Sequence, residues 1–229
     1  PYPDEGASGW GGDLTASQFS YAAADVVHLH ALRAALETEL EAAAMQEIAS
    51  LEMELIPVVV EMESAGLPID VARLDQLIAD LGQEASEARR KLCELAGNEA
   101  LNPNSPKQVM EVFADLGLDL CNTSAETLAG HRGHPFVDTL LEFRGSDKRA
   151  TMLRKLQNCL GPDRRLRASF NPLGTRSGRF TSKDPNLQNI PRGETRSIVR
   201  APEGRLLVRA DYSQIELRIV AALAPDERM

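Results

Sequence analysis

Residues 70–97 constrain the fold more than any other stretch of this sequence. Asp70 precedes apolar residues at 71, 74, 77, 78, 81, 88, 92 and 95, and Gly97 follows them. Spacings of three, four and seven put these side chains on one stripe of a helix. Aspartate is a favoured N-cap and glycine a favoured left-handed stop. A long helix with one apolar face needs a helical core to bury it.

The neighbouring stretches share that character. Thr15 with Gln18 forms a capping box for one helix that carries YAAADVVHLHALRAAL. A second helix is expected from about Gln46 to Ser64, stopping at Gly66-Leu67-Pro68. In NPNSPKQV, Ser105 reads as an N-cap, Pro106 as the first helical residue and Gln108 as the return partner of a capping box. Thr123 and Glu126 repeat the device. A last long helix runs from about Pro135 to Leu160, with Arg144, Lys148 and Lys155 on one stripe, and Gly161-Pro162 ends it.

Beyond residue 161 the pattern changes. RLRASF reads as a strand, and residues 171–196 are rich in Gly, Pro, Asn, Ser and Thr. Leu187, Ile190 and Pro191 would anchor this loop against a core. Apolar runs follow near 197–200 and 205–210, and a helix starts near Ser213. The fold class expected is mainly α with a partial β-sheet (α+β).

At 43% apolar and 26% charged residues the chain reads as soluble and globular, and LIPVVV is too short to span a bilayer. Cys93, Cys121 and Cys159 are odd in number, with no CxxC, which favours reduced thiols and an intracellular protein. HRGH at 131–134 reads as a loop rather than a metal site. The Gly-rich residues 1–13 read as a loop. The chain begins at Pro1 rather than Met, so it is expected to be a piece of a longer protein.

The net charge of −9 argues against a simple nucleic-acid-binding protein, but the distribution does not. Residues 144–200 hold 14 Lys and Arg against 4 Asp and Glu, a net of +10; the remainder holds 11 against 30, a net of −19. One positive segment in an acidic chain suits a polyanion, and equally a solvated face.

Three constellations could carry chemistry. In DYSQIELR, Asp211 ends an apolar, strand-like run, and a carboxylate there suits a hard cation that orients a phosphoryl group. Spacing alone favours the blander reading, a helix cap. Glu216 lies five residues on, in the first turns of the following helix. In GTRSGRFTSKDPNLQNIPR, Arg176, Arg179, Lys183 and Arg192 sit among Gly, Ser, Thr, Asn and Gln. Basic groups there suit phosphates, and Asn, Gln and Arg suit groove acceptors; the alternative is a mobile surface loop. In YAAAD, Tyr21 and Asp25 lie one helical turn apart, which suits a metal and an attacking water, or a capping Tyr beside an exposed acid.

Taken together, these segments resemble family A DNA polymerases of the bacterial DNA polymerase I type. DYSQIELR resembles that family's motif A, and SGRFTSKDPNLQNIP its TGRLSS…PNLQNIP segment. NPNSPKQV and LLEFRGSDK are similar to its thumb, LIPVVVEMESAGLPID to the thumb's opening helix, and LTASQFSYAAADVVHL to the last motif of the associated 3′–5′ exonuclease domain. The matches stand in family order across residues 10–229.

The resemblance implies three parts: the end of an exonuclease domain at 1–45, a helical thumb at 46–163, and the first part of an antiparallel palm sheet from 164 to 229. It implies two Mg²⁺ ions held at Asp211, with the Tyr212 carbonyl as a further ligand. Gln214 and Glu216 would face the incoming nucleotide. Arg144, Lys148, Arg176, Arg179, Gln188 and Asn189 would contact DNA, and Tyr21 and Asp25 would be the exonuclease remnant. Ser177 replaces the family's Thr, Phe180 its Leu, and the connection from Pro191 to Arg196 is shorter.

The expectation is a DNA-directed DNA polymerase of replication and repair, cytoplasmic, monomeric and free of membrane, acting on primer-template DNA and deoxynucleoside triphosphates. The family's fingers helix and His-Asp-Glu motif should follow motif A, beyond Met229, so the isolated chain is expected to be inactive. The alternatives are a ribonuclease D-like 3′–5′ exonuclease and a non-catalytic DNA-binding module.

Overall fold

A computed structural model describes residues 11–224. The chain divides into two compact units, Pro1–Met62 and Glu63–Met229. In the first, the Thr15 hydroxyl accepts from the Gln18 amide at 3.2 Å and the Gln18 side chain accepts from the Thr15 amide at 2.8 Å, closing the capping box of α1 (Ala16–Val26). The sequence reads as one continuous helix here, but the structure has two. The chain turns at Val27-His28, and α2 (Leu29–Ala42) restarts there with His28 as its N-cap. The third helix, α3 (Gln46–Ala65), contains Pro57 and ends at Gly66. Of the expected loop at 1–13, residues 1–10 lie outside the described residues, and 11–13 are irregular.

In the second unit, Gly66 has φ +62, and a Cβ there would lie 2.9 Å from the Leu166 carbonyl and the Arg167 side chain. No other residue fits that turn without displacing backbone. Strand β1 (Leu67–Pro68) leaves it and pairs antiparallel with β2 (Arg165–Leu166), Leu67 opposite Leu166. Asp70 then caps α4 (Val71–Ala96) by accepting from the Arg73 amide at 3.1 Å, and Gly97 (φ +61) closes it. Helix α4 packs along α7 (Pro135–Asn158) in the largest contact between described elements.

That helix pair carries two cores. The tip core joins Ala85, Ala88 and Leu92 to Phe113, Phe136 and Leu140, with Phe113 meeting Phe136 edge-on at 5.7 Å. The base core joins Leu74, Leu77 and Leu81 to Leu153, Leu166, Ile190 and Ile198. Leu187 packs against it, so the 174–192 loop is anchored as its apolar residues imply.

Two caps differ from expectation. The Ser105 hydroxyl accepts from the Gln108 amide at 3.5 Å and starts α5 (Pro106–Asp115), but the Gln108 side chain accepts from Asn102 N at 2.7 Å instead of from Ser105. Ser105 N is already taken by the Asn102 carbonyl. The cap of α6 (Ala125–Ala129) is Ser124 rather than Thr123, because the Thr123 carbonyl and hydroxyl both accept from Arg144.

RLRASF is divided between two sheets. Its first part is β2, and its second is β3 (Ser169–Asn171), which pairs antiparallel with β4 (Thr181–Lys183). A 3-10 helix (Glu194–Ile198) follows, and Val199 bridges to Ile69. The apolar run Leu206–Val208 is not a strand. Leu206 and Val208 are each 91% exposed, and among the described residues no strand pairs with them. A strand's amides and carbonyls need a neighbouring edge. Helix α8 (Ile215–Leu223) closes the described chain.

Candidate nucleic-acid interface

The basic segment begins on α7. Arg144 turns inward: its Nη1 donates to the Thr123 carbonyl at 2.5 Å, Nη2 to the Thr123 hydroxyl at 3.3 Å and the Pro103 carbonyl at 3.2 Å, and Nε to Pro103 at 3.4 Å. Burial lowers its guanidinium from the usual arginine value. Lys148, one turn on, is exposed and makes no hydrogen bond or ion pair among the described residues. The stripe expected at 144, 148 and 155 therefore has unlike members.

The β3–β4 hairpin presents the second basic group. Its connection folds on Thr175, whose hydroxyl accepts from the Arg179 amide at 2.9 Å and donates to the Arg179 carbonyl at 3.0 Å. Gly178 sits at φ +71 inside that turn, a left-handed conformation that suits glycine. Arg176 and Arg179 are exposed. Gln188 donates to the Phe180 carbonyl at 2.9 Å, while the amide side chain of neighbouring Asn189 stays exposed.

The third group is 211–216. Asp211 and Tyr212 lie in irregular chain, and Tyr212 is 81% exposed. Asp211 is not a helix cap: that position belongs to Gln214, in a left-handed conformation (φ 52) with no side-chain cap bond. Glu216, in the first turn of α8, pairs with the Arg179 guanidinium. That contact brings the hairpin and the DYSQIELR segment together. Arg218 donates to the Ser213 carbonyl at 2.9 Å and steadies the approach to the helix.

Tyr21 and Asp25 share one turn of α1 in the other compact unit. Among the described residues no group of three His, Cys, Asp or Glu could hold a metal. No described helix is long and apolar enough to cross a membrane.

Sequence reasoning missed two features. One is the inward use of Arg144. The other is a charged joint at the start of α4, where Arg200 donates to Asp70 at 3.1 Å and Arg73 pairs with Glu194 and donates to Ser197 at 3.1 Å. The Arg73 amide and Arg200 hold the Asp70 carboxyl below its usual value. Asp70 and Arg200 are 130 positions apart, so no local pattern reveals them.

The helical pair, the small antiparallel sheets and the basic hairpin define a class: a mainly helical α+β module with an exposed basic hairpin. The family model for DNA polymerase family A matches residues 71–229. This chain belongs to that family. It is 36% identical over 219 residues to DNA polymerase I of Bacillus subtilis (strain 168), covering 88% of this chain and 25% of that protein. It is 37% identical over 197 residues to the thermostable DNA polymerase I of Thermus aquaticus, covering 78% and 24%. The POL domain of Pol1 from M. smegmatis, solved in complex with DNA primer-template and dNTP, superimposes with a TM-score of 0.75 at 31% identity, covering 84% of this chain and 37% of that one. The chain spans about a quarter of the length of the curated relatives it matches.

Proposed function

We propose that residues 46–163 are the thumb and 164–229 the opening palm segment of a DNA-directed DNA polymerase, with residues 1–45 ending a 3′–5′ exonuclease domain. The whole protein would carry out template-directed nucleotidyl transfer in replication and repair, in the cytoplasm, on primer-template DNA and deoxynucleoside triphosphates. The observation that carries this reading is the Arg179–Glu216 pair, which joins the two segments that resemble polymerase motifs. Family membership supports it.

In this reading Arg179, Arg176, Gln188 and Asn189 line the primer-terminal side of the duplex. Glu216 faces the sugar of the incoming nucleotide, with Gln214 beside it. Lys148 contacts backbone phosphate. Asp211 and the Tyr212 carbonyl are hard oxygen donors, which suit Mg²⁺. When bound, such ions would supply charge stabilisation at the transferring phosphoryl group. One carboxylate is too few for two divalent ions, so the isolated chain is proposed to be inactive.

The test is primer extension. The whole protein should incorporate nucleotides in Mg²⁺, and Asp211→Asn should reduce incorporation to background. Metal-dependent extension by residues 1–229 alone would sink the inactivity proposal. Binding of primer-template by this chain should weaken steeply with salt; salt-independent binding would favour another role for the basic segment.

Tyr21 and Asp25 on one face of α1 support a second reading, an exonuclease activity of the whole protein. Loss of 3′–5′ trimming in Asp25→Ala, with primer extension intact, is its expected result.

A further inference from the structure

The geometry points to Arg144 as a positioning residue: a brace that holds the two tip loops of the thumb, while its neighbour Lys148 makes the phosphate contact. A guanidinium has five N–H groups in a planar fork. Here every nitrogen donates inward, to Pro103 and Thr123, 41 and 21 positions away. Pro103 is buried between exposed Asn102 and Asn104, and its carbonyl faces the fork. Thr123 directly precedes the Ser124 cap of α6. One side chain in the middle of α7 thus fixes the entry to α5 and the entry to α6.

Asp147 adds a second tie, accepting from the Asn104 side chain at 3.0 Å. Lys148 follows on the exposed side without a partner among the described residues. On α7, residues 144 and 147 hold the tip together and residue 148 is left to meet solvent or a polyanion. An ammonium cannot do the work of Arg144, because three donors on one atom do not span two loops. A phosphate contact by Arg144 would require it to release both carbonyls.

The binding arm of the test rests on the proposed DNA-binding role, and the exchange arm does not. The wild-type chain, Arg144→Ala, Arg144→Lys and Lys148→Ala are titrated with a fluorescent primer-template duplex over a range of salt. Amide exchange is followed at 101–105 and 122–125. Arg144→Ala is expected to weaken binding at each salt concentration while leaving the slope of log K against log salt as in wild type, and to lose protection in both loops. Arg144→Lys is expected to keep the charge and still lose protection. Lys148→Ala is expected to lower the slope by about 0.9, one phosphate's worth, with exchange unchanged.

Arg144→Ala lowering the slope by about 0.9 with unchanged exchange would overturn the brace, as would full recovery by Arg144→Lys. If Arg144→Ala does not fold, Arg144→Lys decides by exchange: lost protection in both loops supports the brace, and wild-type protection overturns it. If the wild-type chain binds no duplex, the DNA-binding role fails, and loop exchange alone decides the brace.

Discussion

The α4–α7 pair and the 205–210 segment both carry apolar side chains in a regular pattern, yet they end in opposite states. Leu74, Leu92, Leu140 and Leu153 are fully buried, each facing a partner from the other helix or from the loops that cross it. Leu206 and Val208 stand in water. The difference lies in where the backbone's hydrogen bonds go. A helix satisfies its own amides and needs a neighbour only for its stripe, which the next long helix supplies. A strand needs another strand before its apolar face counts for anything, and among the described residues 206–208 has none. Apolar pattern therefore reports the demand for a partner, and only the pairing reports its supply.

That contrast can be broken in order of effect. Phe113→Ala, in the tip core, should cost about 3–5 kcal/mol in denaturant unfolding, because an edge-on ring and its neighbours are left around a cavity. A loss under about 1 kcal/mol would mean the tip core repacks freely. Gly66→Ala should cost about 1–3 kcal/mol, since the left-handed backbone and the Leu166 carbonyl both oppose a methyl group. An unchanged melting temperature would refute the steric account of that turn.

Acid should act next. The ion-paired hydrogen bond from Arg167 holds the Asp163 carboxyl down at about 2, from an ordinary 3.8. Because the folded value is the lower one, this stability is fully present above about pH 4 and is lost as pH falls towards 2. Asp163→Asn should flatten that part of a melting-temperature profile by lowering the neutral region slightly towards its acid value, a small drop because the pair is exposed. An identical acid limb in the variant would exclude Asp163 as a contributor. Leu206→Ala should be the smallest, within about 0.5 kcal/mol of wild type, since the side chain is exposed already. A core-sized loss would show that the 206–208 run is covered in solution.

What was legible from sequence was local. The caps at Thr15, Asp70 and Ser105, the stop at Gly97 and the core stripe of α4 all follow from spacings within one or two turns. Ala85, a core residue of α4, was passed over because alanine gives a weak apolar signal. The break at His28 carries no capping signal, since its side chain makes no cap bond, so the helical pattern runs straight through it. The cap at Ser124 and the inward turn of Arg144 depended on each other across 21 positions, beyond any spacing rule. The candidate site was legible in a different way. Spacing favoured Asp211 as a cap, and only the resemblance assigned it another role; the cap position has gone to Gln214.

The sharing of one helix pair by two cores has a mechanical consequence. Helix α4 has 26 residues, about 39 Å at 1.5 Å per residue, with its lower end held by the Asp70–Arg200 and Arg73–Glu194 pairs. It is a lever. A rotation of about 5° at that joint would carry the far end through about 3 Å, about the scale of a hydrogen bond. The contacts at that joint are the buried base core and, around it, partly exposed ion pairs, which salt screens. Small adjustments at the bottom of the arm are thus amplified into the placement of the Pro103 and Thr123 loops at its top.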